Sequence, residues 1–524
     1  MDNVFSEEQW WLEMHLYQIF VRSFNDSNKD GVGDIPGITA KLDYIADLGI
    51  NCIWLTPFYP SPQVDMGYDV SDYKNVNPLF GTLTDFDAMV AKAHSLGIKV
   101  MIDIVPNHTS SQHPWFQAAL KAAPGSAERD RYIFRDGRGE NGVNPPNDWA
   151  GWTTDIPWEK VDSQWYLHLF STGQPDLNWH NEDVKAEFLN ILRFWLNRGV
   201  DGLRIDAPTT LIKPDMDAKE LENNLPGTFA IYKSWKEMVT KEYGPRCIIG
   251  EIFESAENAM DWYIDQGHMD QSFCFEYQSA AWTADAYKEI IESWVKTTKE
   301  HGSTPCWVSS THDLMRMASY LGYEEPDGKN SGIMADEEQP DYALGQRRVR
   351  ALTLMTMSLP GAIVTYYGEE LGLPDHTKLT AADLNGREFD RDGCRSPMPW
   401  KSNAKNYGFT TAAKPWLPQP ATYKKLSVNL QDASESSMLA MYRELFHIRT
   451  EYRLSSNEDF EIVPSAWDTL LTFRTGNVLC AINFGTEEVP MPEGDLIAKS
   501  LDDISSGQAL PANSAVLLYQ DWNH

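Results

Sequence analysis

An α/β fold is predicted by this sequence: a (β/α)8 TIM barrel with an inserted subdomain after strand 3 and a C-terminal antiparallel β domain. Three observations predict it. Short apolar runs alternate with helical segments along most of the chain, the interval Thr109–Asn178 breaks that rhythm, and from Leu470 onward short alternating runs replace it.

Eight strand-like runs occur, at His15–Phe20, Asn51–Leu55, Lys99–Ile104, Val200–Ile205, Arg246–Gly250, Met269–Phe275, Pro305–Ser309 and Gly361–Tyr366. Helical spacing of apolar residues marks Ile38–Leu48, Phe86–Leu96, Val184–Leu196, Ile290–Lys299 and Ala343–Met357 between them. Eight such units favour a closed barrel over a doubly wound open sheet. The interval Thr109–Asn178 holds Pro124-Gly125, Gly137–Gly142 and Asn144-Pro145-Pro146-Asn147, with Trp115, Trp149, Trp152, Trp158 and Trp165 among them. It is too long for a plain βα loop and too aromatic for a disordered linker, so it reads as a subdomain over the C-terminal face. A second insertion, near Leu371–Ala433, follows the eighth run. A helix at Met438–Arg449 then leads to the runs Leu470–Arg474, Val478–Asn483 and Ala515–Tyr519 of a small antiparallel domain. The expected division is a barrel at 1–108 and 179–453, an insertion at 109–178 and a β-sandwich at 454–524.

The length of 524 residues allows two or three domains, and a hydrophobic content of 42% supplies an ample core. A net charge of −32 repels nucleic acid and anionic membrane, and no basic pocket is evident for an anionic substrate. Cys52, Cys247, Cys274, Cys306, Cys394 and Cys480 show no metal-site spacing and read as small buried residues of a reducing compartment. Met1–Glu8 has neither a basic nor an apolar character, and no apolar run reaches the length of a membrane span. The expected location is the cytoplasm.

Carboxylates at strand ends carry the chemistry. Gly202-Leu203-Arg204-Ile205-Asp206 brings an arginine and an aspartate to the end of an apolar run, where a charge is costly unless paired or put to use. Ile248-Ile249-Gly250-Glu251 and Trp307-Val308-Ser309-Ser310-Thr311-His312-Asp313 repeat the placement. One aspartate after a strand is most simply a cap or an ion-pair residue. Three acids on strands four, five and seven share one rim of a barrel. Two facing carboxylates, one ionised and one protonated, are what cleavage of a glycosidic bond requires. Arg204 points to the same side of its strand as Asp206 and can keep that carboxylate ionised. Asp103-Ile104-Val105-Pro106-Asn107-His108 adds His108, readable as a satisfied loop histidine or as a donor to a sugar hydroxyl.

These stretches are identified as those of the α-amylase superfamily of retaining α-glycosidases (glycoside hydrolase family 13). Asp103–His108, Asp201–Asp206, Gly250-Glu251 and His312-Asp313 resemble its four signature regions in order, and Gln174-Pro175-Asp176-Leu177-Asn178 resembles a fifth. Tyr17-Gln18-Ile19-Phe20, Asp65-Met66-Gly67-Tyr68-Asp69 and Arg391–Trp400 are similar to stretches of the oligo-1,6-glucosidase and α-glucosidase group. The resemblance implies that Asp206 is the nucleophile, Glu251 the acid/base and Asp313 the carboxylate that fixes sugar hydroxyls and strains the ring. It implies that His108 and His312 bind hydroxyls of the glucosyl unit and that Tyr68 stacks under it. It also implies that Asp65 pairs with Arg395 rather than Arg391, closing the pocket behind the non-reducing end and giving exo-action on short substrates. A retaining pair should sit about 5–5.5 Å apart. The implied partner is a small-molecule sugar, with no nucleic acid, no membrane and no organic cofactor, and the chain acts as a monomer or homodimer.

Asp26-Ser27-Asn28-Lys29-Asp30-Gly31-Val32-Gly33-Asp34 has oxygen side chains at alternate positions, able to wrap a hard cation. An EF-hand is excluded, because the twelfth position is Gly37 and a strand precedes the loop. The resembling group carries a cation loop of this composition after its first strand, which implies a structural Ca2+ (or Mg2+) on Asp26, Asn28, Asp30, Val32 and Asp34. The alternative is a plain Asx-turn loop.

In that group valine after the nucleophile accompanies α-1,6 activity, and alanine or threonine α-1,4 activity. Ala207 therefore favours maltose-like substrates, with sucrose and glucosyl transfer also within the group's range. Thr311, Leu203 and Pro208-Thr209-Thr210 depart from the usual residues and bear on specificity, not on the acids. The rivals are an oligo-1,6-glucosidase and a trehalose synthase-type isomerase. A sucrose isomerase would carry an arginine-rich loop that Leu379–Asp390 lacks, and a non-catalytic transporter subunit would have an anchor and incomplete acids.

Overall fold

The computed structural model describes residues 7–326, 332–384, 391–456 and 459–521. Most of the N-terminal stretch considered above, and the Asn385–Asp390 part of the Leu379–Asp390 loop, lie outside the described residues.

Continuous apolar runs are what a strand covered on both faces requires, and the eight runs become the eight parallel strands of one closed barrel. In chain order β1 (His15–Ile19), β2 (Cys52–Leu55) and β3 (Lys99–Ile104) come first. The inserted strands β4 (Phe134–Asp136), β5 (Trp158–Val161) and β6 (Gln164–Leu167) follow. The barrel resumes with β7 (Gly202–Ile205), β8 (Cys247–Gly250), β9 (Gln271–Cys274), β10 (Cys306–Val308) and β11 (Ala362–Tyr366), which pairs with β1 to close the ring. Alternate residues fill the barrel interior, among them Leu16, Trp54, Met101, Ile249, Phe273 and Val364. Gly202 belongs to this tight layer, since a Cβ there would lie 2.8 Å from the Met101 side chain.

Helices cover the outside by the same logic. In Glu182–Leu196, Val184, Phe188, Ile191, Leu192 and Trp195 fall on one face and are buried. Asn181 caps that helix, its side-chain oxygen accepting the N–H groups of Asp183 and Val184. Trp195 is fully buried, so Trp195→Ala costs about 3–5 kcal/mol. Two helical expectations change. Ile38–Leu48 is not one helix but two, Ile35–Thr39 and Leu42–Asp47, because Lys41 leaves helical geometry (φ −113°, ψ 0°). An unanticipated helix, Pro226–Tyr243, buries Ile231, Tyr232, Trp235, Met238 and Val239, a spacing that was present in the sequence.

The insertion forms an antiparallel sheet ordered β4-β6-β5. Trp149 and Trp158 pack with Ile133, Leu167 and Leu169 to give it a core of its own, while Trp152 stays about half exposed. At the C-terminus, β12 (Phe460–Val463), β13 (Leu470–Thr475), β14 (Val478–Asn483), β16 (Asp495–Lys499) and β18 (Ser514–Tyr519) make a five-stranded antiparallel sheet. Against it packs the two-stranded ribbon of β15 (Val489–Pro490) and β17 (Ala509–Leu510), through Val489 and Leu510. The helix Tyr342–Ser358 packs against this domain through β18 and β14.

Candidate active site

Asp206 and Glu251 stand one residue beyond neighbouring strands. The Asp206 N–H donates to Ile104 O (2.9 Å) and the Glu251 N–H to Ile205 O (3.0 Å), so each continues the ladder and carries its carboxylate to the rim. Between them lies the guanidinium of Arg204, almost fully buried. Its Nη1 donates to Asp103 Oδ1 (2.7 Å) and Asp206 Oδ1 (2.9 Å), its Nη2 contacts Glu251 Oε1 (2.7 Å), and its face lies 5.0 Å from the Trp54 ring. Ala207 then turns into the left-handed region (φ 40°), and its N–H donates to Glu251 Oε2 (3.3 Å). A non-glycine residue held there stores strain, and the position directly after a proposed nucleophile is where such strain is found.

Three carboxylates share one cation. Burial and then repulsion from Glu251 push Asp206 well above the usual carboxylate range, and burial raises Glu251, with Arg204 opposing in both. Both carboxyls of the pair are therefore biased toward the protonated form. Asp103, buried at the centre, is raised by burial against the pull of Arg204 and hydrogen bonds from Trp54 and Tyr68.

Asp313, after β10, has the opposite balance. Burial works against its ionisation, yet His312, Arg391, Arg395 and Arg204 hold its carboxyl well below the usual range. Arg391 Nη1 (2.6 Å) and Arg395 Nη2 (2.8 Å) both donate to Asp313 Oδ1. Here the expected Asp65–Arg395 pair is corrected. Arg395 closes the 3-10 turn Asp392–Arg395, is buried against the Phe20 ring (5.2 Å), and commits its Nε to His312 O (2.7 Å). Arg391 precedes that turn, is more exposed, and reaches Asp65 Oδ1 at 3.4 Å. The arginine beside Asp65 is Arg391, and Arg395 stands behind Asp313.

The remaining predicted binding residues, His312, Tyr68 and His108, are linked to these acids by hydrogen bonds and ring contacts. His312 is buried between Gln18 and Asp313, and burial with the nearby arginines lowers its pKa to about 3. The Tyr68 ring lies parallel to His312 (centroids 5.4 Å apart), its hydroxyl donating to Asp103 Oδ2 (3.2 Å). His108, kept neutral by burial, meets Gln174 Nε2 at 3.1 Å, and the same Gln174 nitrogen donates to Asp65 Oδ2 (2.9 Å). Gln174 thereby ties the insertion to two predicted binding residues.

One functional neighbour escaped sequence reasoning. Lys213, buried after Leu211-Ile212, donates to Asn107 Oδ1 (2.7 Å), pairs with Asp176 Oδ2 (2.8 Å) and bonds the Thr210 carbonyl. Asn107 Nδ2 in turn bonds Asp176 Oδ2 (3.0 Å) and meets His108 Nδ1 (3.2 Å). This ammonium fastens the end of β3, the insertion and the segment after Asp206 together. Nothing in the local sequence distinguishes it from a surface lysine.

In the loop of residues 26–34 each predicted ligand side chain is engaged with backbone N–H groups. Asp26 Oδ1 accepts from Lys29, Asn28 Oδ1 from Asp30, Asp30 Oδ1 from Val32, and Asp34 from Ser27, Asn28 and Gly37. The donor set of carboxylates, amide and the Val32 carbonyl suits a hard cation, and these bonds leave further lone pairs. The oxygens of Asp26, Asp30 and Asp34 do not gather within 4.8 Å of one another, so a cation would have to draw them in. Gly37 is required at the twelfth position, where a Cβ would lie 1.9 Å from Asn25 O. Among the described residues one His/Asp group is close enough to share an ion, Asp261, Asp265 and His301, with both aspartates exposed.

The α-amylase catalytic-domain model matches residues 18–457. The chain belongs to the α-amylase family. Maltase 1 of Drosophila virilis is 35% identical over 484 residues, covering 84% of this chain and 72% of its own. A probable α-glucosidase of Rhizobium meliloti (strain 1021) is 33% identical, covering 93% and 92%. The crystal structure of the α-glucosyl transfer enzyme XgtA superposes with a TM-score of 0.83 at 32% identity over 98% of this chain and all of that one. This member of the α-amylase family is an α-glucosidase-like glycoside hydrolase.

Proposed function

We propose that the protein is a retaining, exo-acting α-glucosidase that removes the non-reducing terminal glucosyl unit of short α-1,4-linked substrates such as maltose. The observation that carries this reading is the single guanidinium of Arg204 held by both Asp206 and Glu251, which brings two carboxyls together at neighbouring strand ends. Asp206 attacks the anomeric carbon as Glu251 protonates the leaving oxygen. Glu251 then takes a proton from water, or from the hydroxyl of an acceptor sugar, as it displaces Asp206. Asp313, His312 and His108 hold hydroxyls of the glucosyl ring, Tyr68 packs against it, and Asp65 with Arg391 closes the far end of the pocket, limiting attack to chain ends. Ala207 favours the α-1,4 link, and sucrose and glucosyl transfer fall within the same chemistry.

Incubation with maltose, isomaltose, sucrose and trehalose, with products separated by chromatography, tests the reading. Release of α-glucose from maltose is expected. Preferential cleavage of isomaltose would make the protein an oligo-1,6-glucosidase, and trehalose formed from maltose with little free glucose would make it an isomerase. We also propose that Asp26, Asn28, Asp30, Val32 and Asp34 hold a structural Ca2+ or Mg2+. The melting temperature should rise with millimolar Ca2+ and fall with chelator, and no change in either direction would leave an Asx-turn loop. Six buried free cysteines suit a cytoplasmic setting.

A further inference from the structure

The imidazole of His312 is a donor on one side and an acceptor on the other. Its Nε2 lies 3.1 Å from Asp313 Oδ2 and 2.7 Å from the Tyr68 hydroxyl. Asp313 is ionised between Arg391 and Arg395, and a carboxylate only accepts. The Tyr68 hydroxyl spends its hydrogen on Asp103 Oδ2, so toward His312 it accepts as well. Nε2 therefore carries the ring's hydrogen. Burial and the surrounding arginines keep the ring neutral, which leaves Nδ1 bare. The charged and titratable groups facing the ring are Asp313, Tyr68, Asp103, Arg204, Arg391 and Arg395; Phe20 and Trp54 flank it without charge.

Nδ1 is served by Gln18, the fourth residue of β1, whose Nε2 lies 2.8 Å away. Gln18 is fully buried, and its Oε1 has no hydrogen-bond partner among the described residues. A buried carbonyl left without a partner is a standing cost that leucine or methionine of similar size would avoid. Packing alone does not account for an amide there.

We propose that Gln18 is a positioning residue: by donating to His312 Nδ1 it fixes the tautomer that presents Nε2–H, beside Asp313, to a hydroxyl of the bound glucosyl ring. The inference rests on the reading of His312 and Asp313 as hydroxyl-binding groups. Gln18→Glu keeps the size and reverses the polarity at the contact, since a carboxylate accepts a hydrogen from Nδ1 instead of donating one. It leaves the nucleophile and the acid/base untouched.

The test has two arms. In the free, full-length protein labelled with 15N-histidine, the His312 signal is assigned by its loss in His312→Gln. Nδ1 should be unprotonated in the wild type and protonated in Gln18→Glu. A wild type with protonated Nδ1, or a Gln18→Glu protein with bare Nδ1, overturns the proposal. In the kinetic arm, Gln18→Glu should lower kcat/KM on p-nitrophenyl α-glucoside by about 100-fold, more through kcat than KM, and Gln18→Met by about 10-fold. The Gln18→Glu penalty should shrink to a few-fold on the one deoxy analogue that lacks the hydroxyl served by His312. An equal penalty on the 2-, 3-, 4- and 6-deoxy analogues overturns the proposal. A wild-type protein inactive on α-glucosides would sink the functional reading instead, and the tautomer spectra, which need no turnover, then decide the role of Gln18.

Discussion

The two sides of the pocket solve the burial of charge in opposite ways. On the side of Asp206 and Glu251 every group comes from a barrel strand or the residue after it, and three acids share the single cation of Arg204. On the side of Asp313 one acid meets two cations, Arg391 and Arg395, both supplied by the long insertion after β11. Burial opposes ionisation of Asp206 and Asp313 alike, yet the first is raised and the second lowered. The count of cations around each carboxyl decides the sign, so the site sets a carboxyl pair that favours a proton beside a carboxylate that does not.

The largest effect should come from breaking the side where carboxyls outnumber the cation. Asp206→Asn should lower turnover of maltose by about 10^3-fold or more without lowering the melting temperature, because it relieves an excess of buried negative charge. Turnover within tenfold of wild type would remove Asp206 from the role of nucleophile.

The cation-rich side separates its two arginines. Arg395→Leu takes a buried guanidinium from Asp313 and should cost about 3 kcal/mol in denaturant unfolding. Arg391→Leu, at a more exposed position, should leave stability within about 1 kcal/mol while raising KM for maltose about tenfold. Equal stability losses in the two variants would contradict the assignment of Arg395 to Asp313 and Arg391 to the pocket wall.

The smallest effect tests whether the same rule of charge balance holds elsewhere. Around the buried Arg316, Glu369 and Asp375 again outnumber the cation, and burial raises each to about 7. Unfolded carboxyls titrate near about 4, so the folded chain holds these protons more tightly. Their contribution to stability is complete below about pH 4 and is lost as pH rises through about 7. Glu369→Gln/Asp375→Asn should flatten the fall in unfolding free energy between pH 5 and pH 8; a slope as steep as wild type would refute the assignment.

The legibility of the site follows the same division. β3 coincides with its expected run, and the other seven barrel strands lie within a residue or two of theirs, because a strand buried on both faces has no choice but continuous apolar residues. Asp206, Glu251 and Asp313 could be named because each directly follows such a run or its short turn. The choice of Arg395 over Arg391 as the partner of Asp65 was wrong, since both lie in one stretch and only the 3-10 turn decides which guanidinium faces inward. Lys213 gave no signal at all, since its three acceptors come from Asn107, Asp176 and Thr210, two of them far away in sequence. The single helix expected over Ile38–Leu48 failed for a local reason, the departure of Lys41 from helical geometry, which apolar spacing does not register.

Periodicity was enough to determine the barrel, and the placement of acids enough to single out three carboxylates at its strand ends, because each signal lies in residues close together in the chain. Which arginine meets which acid, which lysine fastens the insertion and which amide orients His312 were decided only by the tertiary structure. Those contacts join segments up to several hundred residues apart, and a hydrogen bond or ion pair is specified by direction and distance in space, which no local pattern encodes.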